Sequence, residues 1–237
     1  MKLSIAAVIC AAGSSGRMGG QKKEYLYLPS QEKGITVLAA AVSAFALSNR
    51  ISAIAIAVRP GDENAARSCL PEELLAQGER IFFVPGVSTR QASVHSALSL
   101  LEPYHPTHVL IHDGARPWIT EKLIEAIIDA AIRYDAVIPV LPLLETPKEL
   151  NSIEISSLKP AFIERHLKRA QVFTAQTPQG FKYLEILKAH VMAAEREGQG
   201  NACYTDDAEL WGEFIGQVAV IPGEIENRKI TYPEDMR

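Results

Sequence analysis

The chain has 237 residues, 47% of them hydrophobic and 22% charged, which is the composition of an ordinary globular protein that can bury a sizeable core. Its formal net charge of -4 excludes a general nucleic-acid binder, because a sequence-independent phosphate footprint needs a surplus of Lys and Arg. Cys10, Cys69 and Cys203 are odd in number and far apart, so neither a disulfide framework nor a cysteine zinc site is supported. We therefore expect a reducing, cytoplasmic environment, and the pattern contains no export signal or membrane segment.

The first element is a nearly unbroken apolar run from Leu3 to Ala11, which is typical of a strand buried on both faces of a parallel sheet. It ends in small residues with glycines at positions 13, 16 and 19, which leaves backbone N–H groups free to face a ligand. The glycines alone would equally fit an ordinary strand-to-helix turn, and their spacing is neither the dinucleotide fingerprint nor the P-loop. The neighbouring cations Arg17 and Lys23 favour a polyphosphate site.

Helical and extended patterns then alternate, which predicts a doubly wound, mostly parallel α/β sheet with ligands bound beyond the carboxyl ends of its strands. The predicted helices cover 36–48, 63–75, 89–101 and 120–134, and the predicted strands cover 51–58, 81–84, 108–112 and 136–140. A helix to about 197, a loop over 198–204, a short helix opened at 205–207 and a last strand over 217–221 complete a single domain, 1–237.

Prolines at 142 and 147 interrupt this alternation, and the residues up to about Arg169 are polar, mixed and poorly periodic. We interpret 142–170 as an arm subdomain that leaves the main domain. Within it, 161–167 has a helical pattern.

Two further clusters follow predicted strands. Asp113, Gly114 and Arg116 combine an acid, a position for close approach and a guanidinium that can hold a phosphate bidentately, but the two charged residues would also suit a surface ion pair. Small hydroxyl residues over 87–93 open a helix, where an anion or base-edge site and plain N-capping by Ser88 or Thr89 remain equally open.

The sequence offers no nucleophile-and-base constellation and no histidine spacing typical of a metal site. What remains is a group-transfer site made of cations and backbone donors. A phosphate monoester, whose second pKa is about 6, can attack the α-phosphorus of a nucleoside triphosphate without a general base. The protein then needs only to align the two reactants and neutralise the charge that accumulates.

Several motifs, in order, resemble the 2-C-methyl-D-erythritol 4-phosphate cytidylyltransferases of the non-mevalonate isoprenoid pathway. They are A-A-G-S-S-G-R-M-G, K-K-E-Y-L, T-R-Q-A-S-V, H-D-G-A-R-P, T-P-K, Q-T-P-Q-G-F, Y-T-D-D-A and N-R-K-I-T-Y-P-E-D. The N-terminal loop is shared with many sugar-nucleotide pyrophosphorylases, whereas H-D-G-A-R-P, Q-T-P-Q and T-D-D-A are more specific. The resemblance implies a Rossmann-like nucleotidyltransferase sheet with a protruding β-arm, and cytidylyl transfer from CTP to the sugar-alcohol phosphate with release of pyrophosphate.

The resemblance also implies roles for individual residues. Arg17 and Lys23 would act on the CTP phosphates, and Lys229 and Arg169 on the phosphate of the acceptor. The remaining implied substrate-binding positions are Ala11, Ala12, Gly13, Ser14, Ser15, Gly16, Gly86, Ser88, Arg90, Ser93, Asp113, Arg116, Thr146, Thr177 and Thr205. Mg²⁺ would be held mainly through the CTP phosphates, with no metal site made by the protein itself. The arm would embrace a second subunit, so that Arg169 and Thr146 serve the neighbour's site in a homodimer.

The chain departs from the family pattern at Glu24, where Gln is usual, and at Glu145, where Asp commonly precedes the arm threonine. Two alternatives stay open at this point. One is an alditol-phosphate cytidylyltransferase, such as one acting on ribitol 5-phosphate. The other is a nucleotide-binding regulatory module without turnover, against which the intact Arg17, Lys23 and Lys229 argue.

Overall fold

The first strand, β1 (Ile5–Ala11), lies near the centre of an eight-stranded sheet, and six of its seven residues are buried. The computed structural model describes residues 3–29, 34–76, 80–197 and 204–236, without the side chain of residue 197. β1 pairs in parallel with β2 (Ile51–Val58) on one side and with β4 (His108–Asp113) on the other. The continuous apolar run of β1 and the nearly continuous run of β2 are explained by burial on both faces of the sheet.

The other strands extend the sheet in both directions. β3 (Ile81–Pro85) pairs in parallel with β2, and β10 (Ala219–Pro222) pairs in parallel with β5 (Ala136–Pro142). Between β4 and β5 lies β9 (Gln179–Lys182), antiparallel to both, and β8 (Phe173–Ala175) pairs antiparallel with the end of β5. The order is β10-β5-β9-β4-β1-β2-β3, with β8 attached to β5, which confirms the mostly parallel sheet.

Helices cover both faces of this sheet and enclose two cores. One face packs against α1 (Val37–Leu47), α2 (Glu63–Ser68), α3 (Glu72–Leu75) and α5 (Glu121–Tyr134). The other face packs against α4 (Arg90–Leu101), α6 (Tyr183–Glu197) and α7 (Asp207–Phe214). In α5 the buried residues Leu123, Ile124, Ile127, Ile128 and Ala131 recur every three or four positions, as an amphipathic helix requires. No described helix is long and apolar enough to cross a membrane.

Two predicted elements are corrected by the structure. The single helix expected over 63–75 is two short helices, α2 and α3, because Pro71 lies between them with an extended backbone that starts the second. The helix indicated by the pattern over 161–167 is wrong, because residues of this segment form the strand β7 (Ile163–His166), which pairs antiparallel with β6 (Lys148–Leu150). There Arg165 meets Glu149 at 2.6 Å across the two strands, so pairing within the arm overrides local helix propensity. Most of the loop expected over 198–204 lies outside the described residues.

The register of the parallel strands places the ends of β1, β2, β3 and β4 next to one another. Ala11 of β1 lies beside Val58 of β2, Val58 beside Pro85 of β3, and Cys10 of β1 beside Asp113 of β4. Four strands therefore end at one edge of the sheet, and the segments that follow them meet there.

Candidate active site

A cleft of about 680 Å³ opens at this edge of the sheet, above the ends of β1 to β4. Its lining brings together segments far apart in sequence, and these include Ala12, Gly13, Ser14, Ser15, Gly16, Arg17, Lys23, Arg59, Ser88, Arg90, Ser93, Asp113, Lys229 and Thr231. Five of the lining residues are Lys or Arg, and only Glu24 and Asp113 are acidic. A surplus of cations in a concave site favours an anionic ligand, although the chain as a whole is acidic.

The loop after β1 leaves several backbone donors without a protein acceptor. Ser15 has a left-handed backbone, with φ of 53°, and starts the short 3-10 helix Gly16–Met18. Within the described part of the chain, the N–H groups of Gly13, Ser14 and Ser15 donate no hydrogen bond. Successive unpaired N–H groups in a cleft are a ready-made phosphate site.

Lys23 lies under this loop with only 9% of its surface exposed, and its Nζ donates to the carbonyl of Ile230 at 2.7 Å. Burial lowers its pKa, while the carboxylate of Glu24 opposes that change. Arg17 is exposed at the cleft rim, with its guanidinium 5.6 Å from the centre of the Tyr232 ring. Of the two predicted residues, Lys23 thus places a buried ammonium under the loop, and Arg17 places a long, exposed side chain at the entrance of the cleft.

Asp113 forms the centre of a charged cluster on the floor of the cleft. Its carboxylate lies 3.0 Å from Lys229 Nζ and 3.3 Å from Arg116 Nε, and 3.9 Å from Arg90 Nε. Burial alone would raise the pKa of Asp113, but the three cationic neighbours hold it well below its usual range. The Asp113–Arg116 pair left open by the sequence is therefore a buried pair of the cleft, where ion pairs are screened less than at the surface.

A smaller cleft of about 220 Å³ adjoins the first and shares Arg90, Asp113 and Lys229 with it. Arg116, Thr177 and Thr205 line this second cleft together with Gln179. Thr177 also supports the site from below, since its Oγ1 accepts the N–H of Asp113 at 3.0 Å. Two adjoining clefts that share charged residues can hold two anionic reactants next to each other.

The segment after β3 is organised by side-chain caps. Thr89 caps α4 by accepting the N–H of Ala92 at 3.0 Å, and Ser93 Oγ accepts the N–H of Val87 at 2.9 Å. N-capping is therefore confirmed as the role of Thr89, which leaves Ser88 exposed in the lining. Gly86 lies under the loop and has no room for a side chain, because a Cβ there would overlap that of Ala12.

Four of the residues named from the family resemblance do not reach the cleft in a way that allows direct contact. Ala11 is fully buried at the end of β1, and Gly86 packs beneath the lining. Thr146 and Arg169 are exposed on the arm, where Arg169 Nη1 donates to the carbonyl of Leu144 at 3.0 Å. These two arm residues lie outside both clefts of their own chain.

Three residues that the sequence reasoning did not assign contribute to the site. Arg59 Nη2 donates to the carbonyl of Ser14 at 2.6 Å, and Lys22 Nζ donates to that of Gly13 at 2.8 Å. Arg59 directly follows β2, so the rule that sites lie past strand ends could have found it. Asp207, inside the T-D-D-A motif, holds Arg90 with a 2.8 Å ion pair, while His190 Nε2 lies 3.1 Å from its other oxygen. Nothing in the local sequence indicated that contact.

The described residues contain no group of three or more His, Cys, Asp or Glu side chains that could hold a metal ion. The carboxylate at the centre of the cleft, Asp113, is already engaged by cations. A divalent ion in this cleft would therefore need oxygen ligands from a bound phosphate or from water.

Comparison with solved structures agrees with this architecture. The chain superposes on 4-diphosphocytidyl-2C-methyl-D-erythritol synthase from Anaerococcus prevotii with a TM-score of 0.77 and 28% identity, covering 99% of this chain and 93% of that one. For 2-C-methyl-D-erythritol 4-phosphate cytidylyltransferase from Thermus thermophilus the TM-score is 0.72 and the identity 29%, covering 99% and 96% of the two chains.

Sequence comparison points the same way. The 2-C-methyl-D-erythritol 4-phosphate cytidylyltransferase of Pelotomaculum thermopropionicum is 35% identical over 98% of this chain and 91% of its own. The bifunctional enzyme IspD/IspF of a Bradyrhizobium strain is 38% identical over 97% of this chain, which spans only 54% of that relative, or about half its length. The sequence model of the family IspD, described as 2-C-methyl-D-erythritol 4-phosphate cytidylyltransferase, matches residues 5–237. The chain therefore belongs to the 2-C-methyl-D-erythritol 4-phosphate cytidylyltransferase family.

Proposed function

We propose that this chain transfers the cytidylyl group of CTP to 2-C-methyl-D-erythritol 4-phosphate, forming CDP-methylerythritol and pyrophosphate in isoprenoid precursor synthesis. The observation that carries the proposal is the pair of adjoining clefts that share Arg90, Asp113 and Lys229. The larger cleft has the backbone donors suited to a triphosphate. The smaller one, with its threonines and charged groups, suits a short polyol phosphate.

The chemistry requires little beyond positioning and charge neutralisation. An acceptor phosphate dianion attacks the α-phosphorus, its oxygen forms the new P–O bond, and the bond to the pyrophosphate leaving group breaks. Lys23 would meet the negative charge that develops on the α-phosphate, and the loop N–H groups would bind the triphosphate itself. Lys229, anchored by Asp113, is placed between the two clefts to hold the attacking phosphate.

Mg²⁺ would be held mainly through the triphosphate; Glu24 and Asp113 are the two carboxylates among the residues that line the larger cleft. When bound, it would supply charge neutralisation on the phosphates. The chain's own contribution would be to orient the triphosphate through the loop N–H groups.

We further propose that the working form is a cytoplasmic homodimer in which the arm completes the partner's site. The arm exposes large apolar side chains that a solitary chain leaves in water, among them Leu144, Ile153, Leu158 and Phe162. Thr146 and Arg169 lie on the same arm, away from both clefts of their own chain, so an acceptor contact requires delivery to a neighbouring subunit.

Pyrophosphate release tests the activity. CTP is mixed with 2-C-methyl-D-erythritol 4-phosphate, ribitol 5-phosphate or erythritol 4-phosphate, with UTP and ATP as nucleotide controls. The proposal expects rapid release only with CTP and the methylerythritol acceptor. Faster release with ribitol 5-phosphate would favour the alditol-phosphate alternative, and binding of CTP without release with any acceptor would favour the regulatory module.

A further inference from the structure

The glycine loop is held from outside the cleft by a lysine next to Lys23. Lys22 Nζ donates to the carbonyls of Ala11 and Gly13, the second at 2.8 Å, and forms an ion pair with Glu24 Oε2 at 3.2 Å. The side chains of Lys22 and Glu24 are only 8% and 4% exposed. Glu24 also accepts a hydrogen bond from Ser15 Oγ at 3.4 Å, so the pair contacts both ends of the loop.

These contacts determine where the loop donors point. In a trans peptide unit the carbonyl and the N–H that follows it point in opposite directions. The carbonyl of Gly13 belongs to the same peptide unit as the N–H of Ser14, and that of Ala11 to the same unit as the N–H of Ala12. Because Lys22, which does not line the cleft, holds the two carbonyls, the attached N–H groups point away from Lys22. Arg59 Nε also donates to the carbonyl of Gly13, at 3.4 Å.

Lys22 cannot act on phosphate as Lys23 does. Lys23 lines the cleft, whereas Lys22 does not, and its ammonium is occupied by two carbonyls and a carboxylate. Burial lowers the pKa of Lys22, and the charge of Glu24 opposes that change. Glu24 thus stabilises the charged form of Lys22, which burial alone would disfavour.

We propose that Lys22 and Glu24 are a positioning pair, in which Glu24 holds Lys22 and Lys22 aligns the loop N–H groups for the triphosphate. The inference rests on the proposed function, because the ligand of the loop is taken to be CTP. The pair explains how Glu24 is accommodated in a cleft that favours anions. Its carboxylate is neutralised by the ammonium of Lys22, so it repels the phosphates less.

The loop donors contact triphosphate in both the ground state and the transition state, so misaligning them weakens binding more than turnover. A charge-assisted hydrogen bond to a buried carbonyl is a strong one, and its loss should weaken CTP binding by about tenfold to a hundredfold. The turnover number at saturating substrate should fall by less than about threefold. Lys23→Ala should show the opposite split.

The test measures CTP affinity by calorimetry without acceptor, then kcat and KM, in Lys22→Met and in Lys22→Met/Glu24→Gln. Lys188→Met, on an exposed position of α6, is the matched control and should behave as wild type. If Lys22 only neutralised Glu24, the double variant would regain wild-type affinity. If Lys22 holds the loop, the double variant stays as weak as the single one.

Unchanged CTP affinity in Lys22→Met, or full recovery in the double variant, overturns the positioning pair. If Lys22→Met does not fold, Lys22→Gln retains a neutral NH2 donor group and should bind CTP several-fold more weakly than wild type; wild-type affinity there overturns the proposal equally. Loss of affinity in the variants alongside a wild-type protein that releases no pyrophosphate would overturn the proposed function and leave the positioning pair standing.

Discussion

Acid should weaken this fold through His112, the residue before Asp113. Its ring is fully buried, with Nε2 3.1 Å from the carbonyl of Arg116 and Nδ1 3.0 Å from Thr177 Oγ1. Because the carbonyl of Arg116 can only accept, the proton of the neutral ring is at Nε2, and Nδ1 accepts the hydroxyl proton of Thr177. The neutral ring satisfies both partners, and a second ring proton, at Nδ1, would require the Thr177 hydroxyl to give up its hydrogen bond to the ring.

Burial lowers the pKa of His112 to about 4. An unfolded histidine has a pKa of about 6.5, so the unfolded chain binds the proton first as the pH falls. The stability is therefore complete above the unfolded pKa and is lost progressively as the pH falls towards the folded one. Between pH 7 and pH 5 this linkage amounts to about 2 kcal/mol, which corresponds to a decrease in Tm of about 4–8 °C in a protein of this size.

Urea unfolding at pH 7 and pH 5 measures the effect in wild type and in His112→Gln, which lacks the titrating ring. The stability lost between the two pH values should be smaller in the variant by about 2 kcal/mol. His95 and His108, whose pKa values burial also lowers, contribute equally to both proteins and cancel. Ile111→Val, at the neighbouring buried position, should cost about 1 kcal/mol at both pH values. A His112→Gln variant with the wild-type pH dependence would refute the reasoning.

Three further outcomes are expected. Arg17→Ala and Lys23→Ala should each lower kcat by about a hundredfold or more with smaller losses in CTP binding, and steady-state kinetics that show near-normal turnover would contradict this. Because burial lowers the pKa of Lys23, its ammonium should lose its proton, and activity should fall, at a pH below the ordinary lysine pKa of about 10.4. Lys23→Arg, which stays charged, should keep its activity to higher pH. Arg169→Ala and Lys23→Ala, each inactive alone, should recover about a quarter of wild-type activity on mixing, because about half the dimers are mixed and each has one intact site. Continued inactivity after verified subunit exchange would show that Arg169 does not act in trans.

The local sequence was sufficient for most elements of the fold and for a small-residue loop with unpaired backbone N–H groups after β1. Strands buried on both faces require largely apolar runs, so β1 and β2 could be predicted from short stretches of sequence. A helix on a sheet requires apolar residues every three or four positions, so α5 could be predicted in the same way. The end of β1 is equally local, because only small residues allow the backbone N–H groups to face a ligand. The other proposed site residues and the proposed substrates came from the family motifs.

The tertiary structure decided what depends on partners distant in the chain. No local pattern places β9 between β4 and β5, makes a strand of 163–166, or brings Asp207 to Arg90 across 117 positions of chain, since each outcome depends on pairing surfaces assembled elsewhere. Lys22 and Lys23 are neighbours of the same type in sequence, yet one faces the cleft and the other holds the loop from behind. The physical reason is that a pattern of hydrophobicity specifies which residues are buried, whereas the direction and partner of a charged side chain are set by the three-dimensional positions of the carbonyls and carboxylates around it.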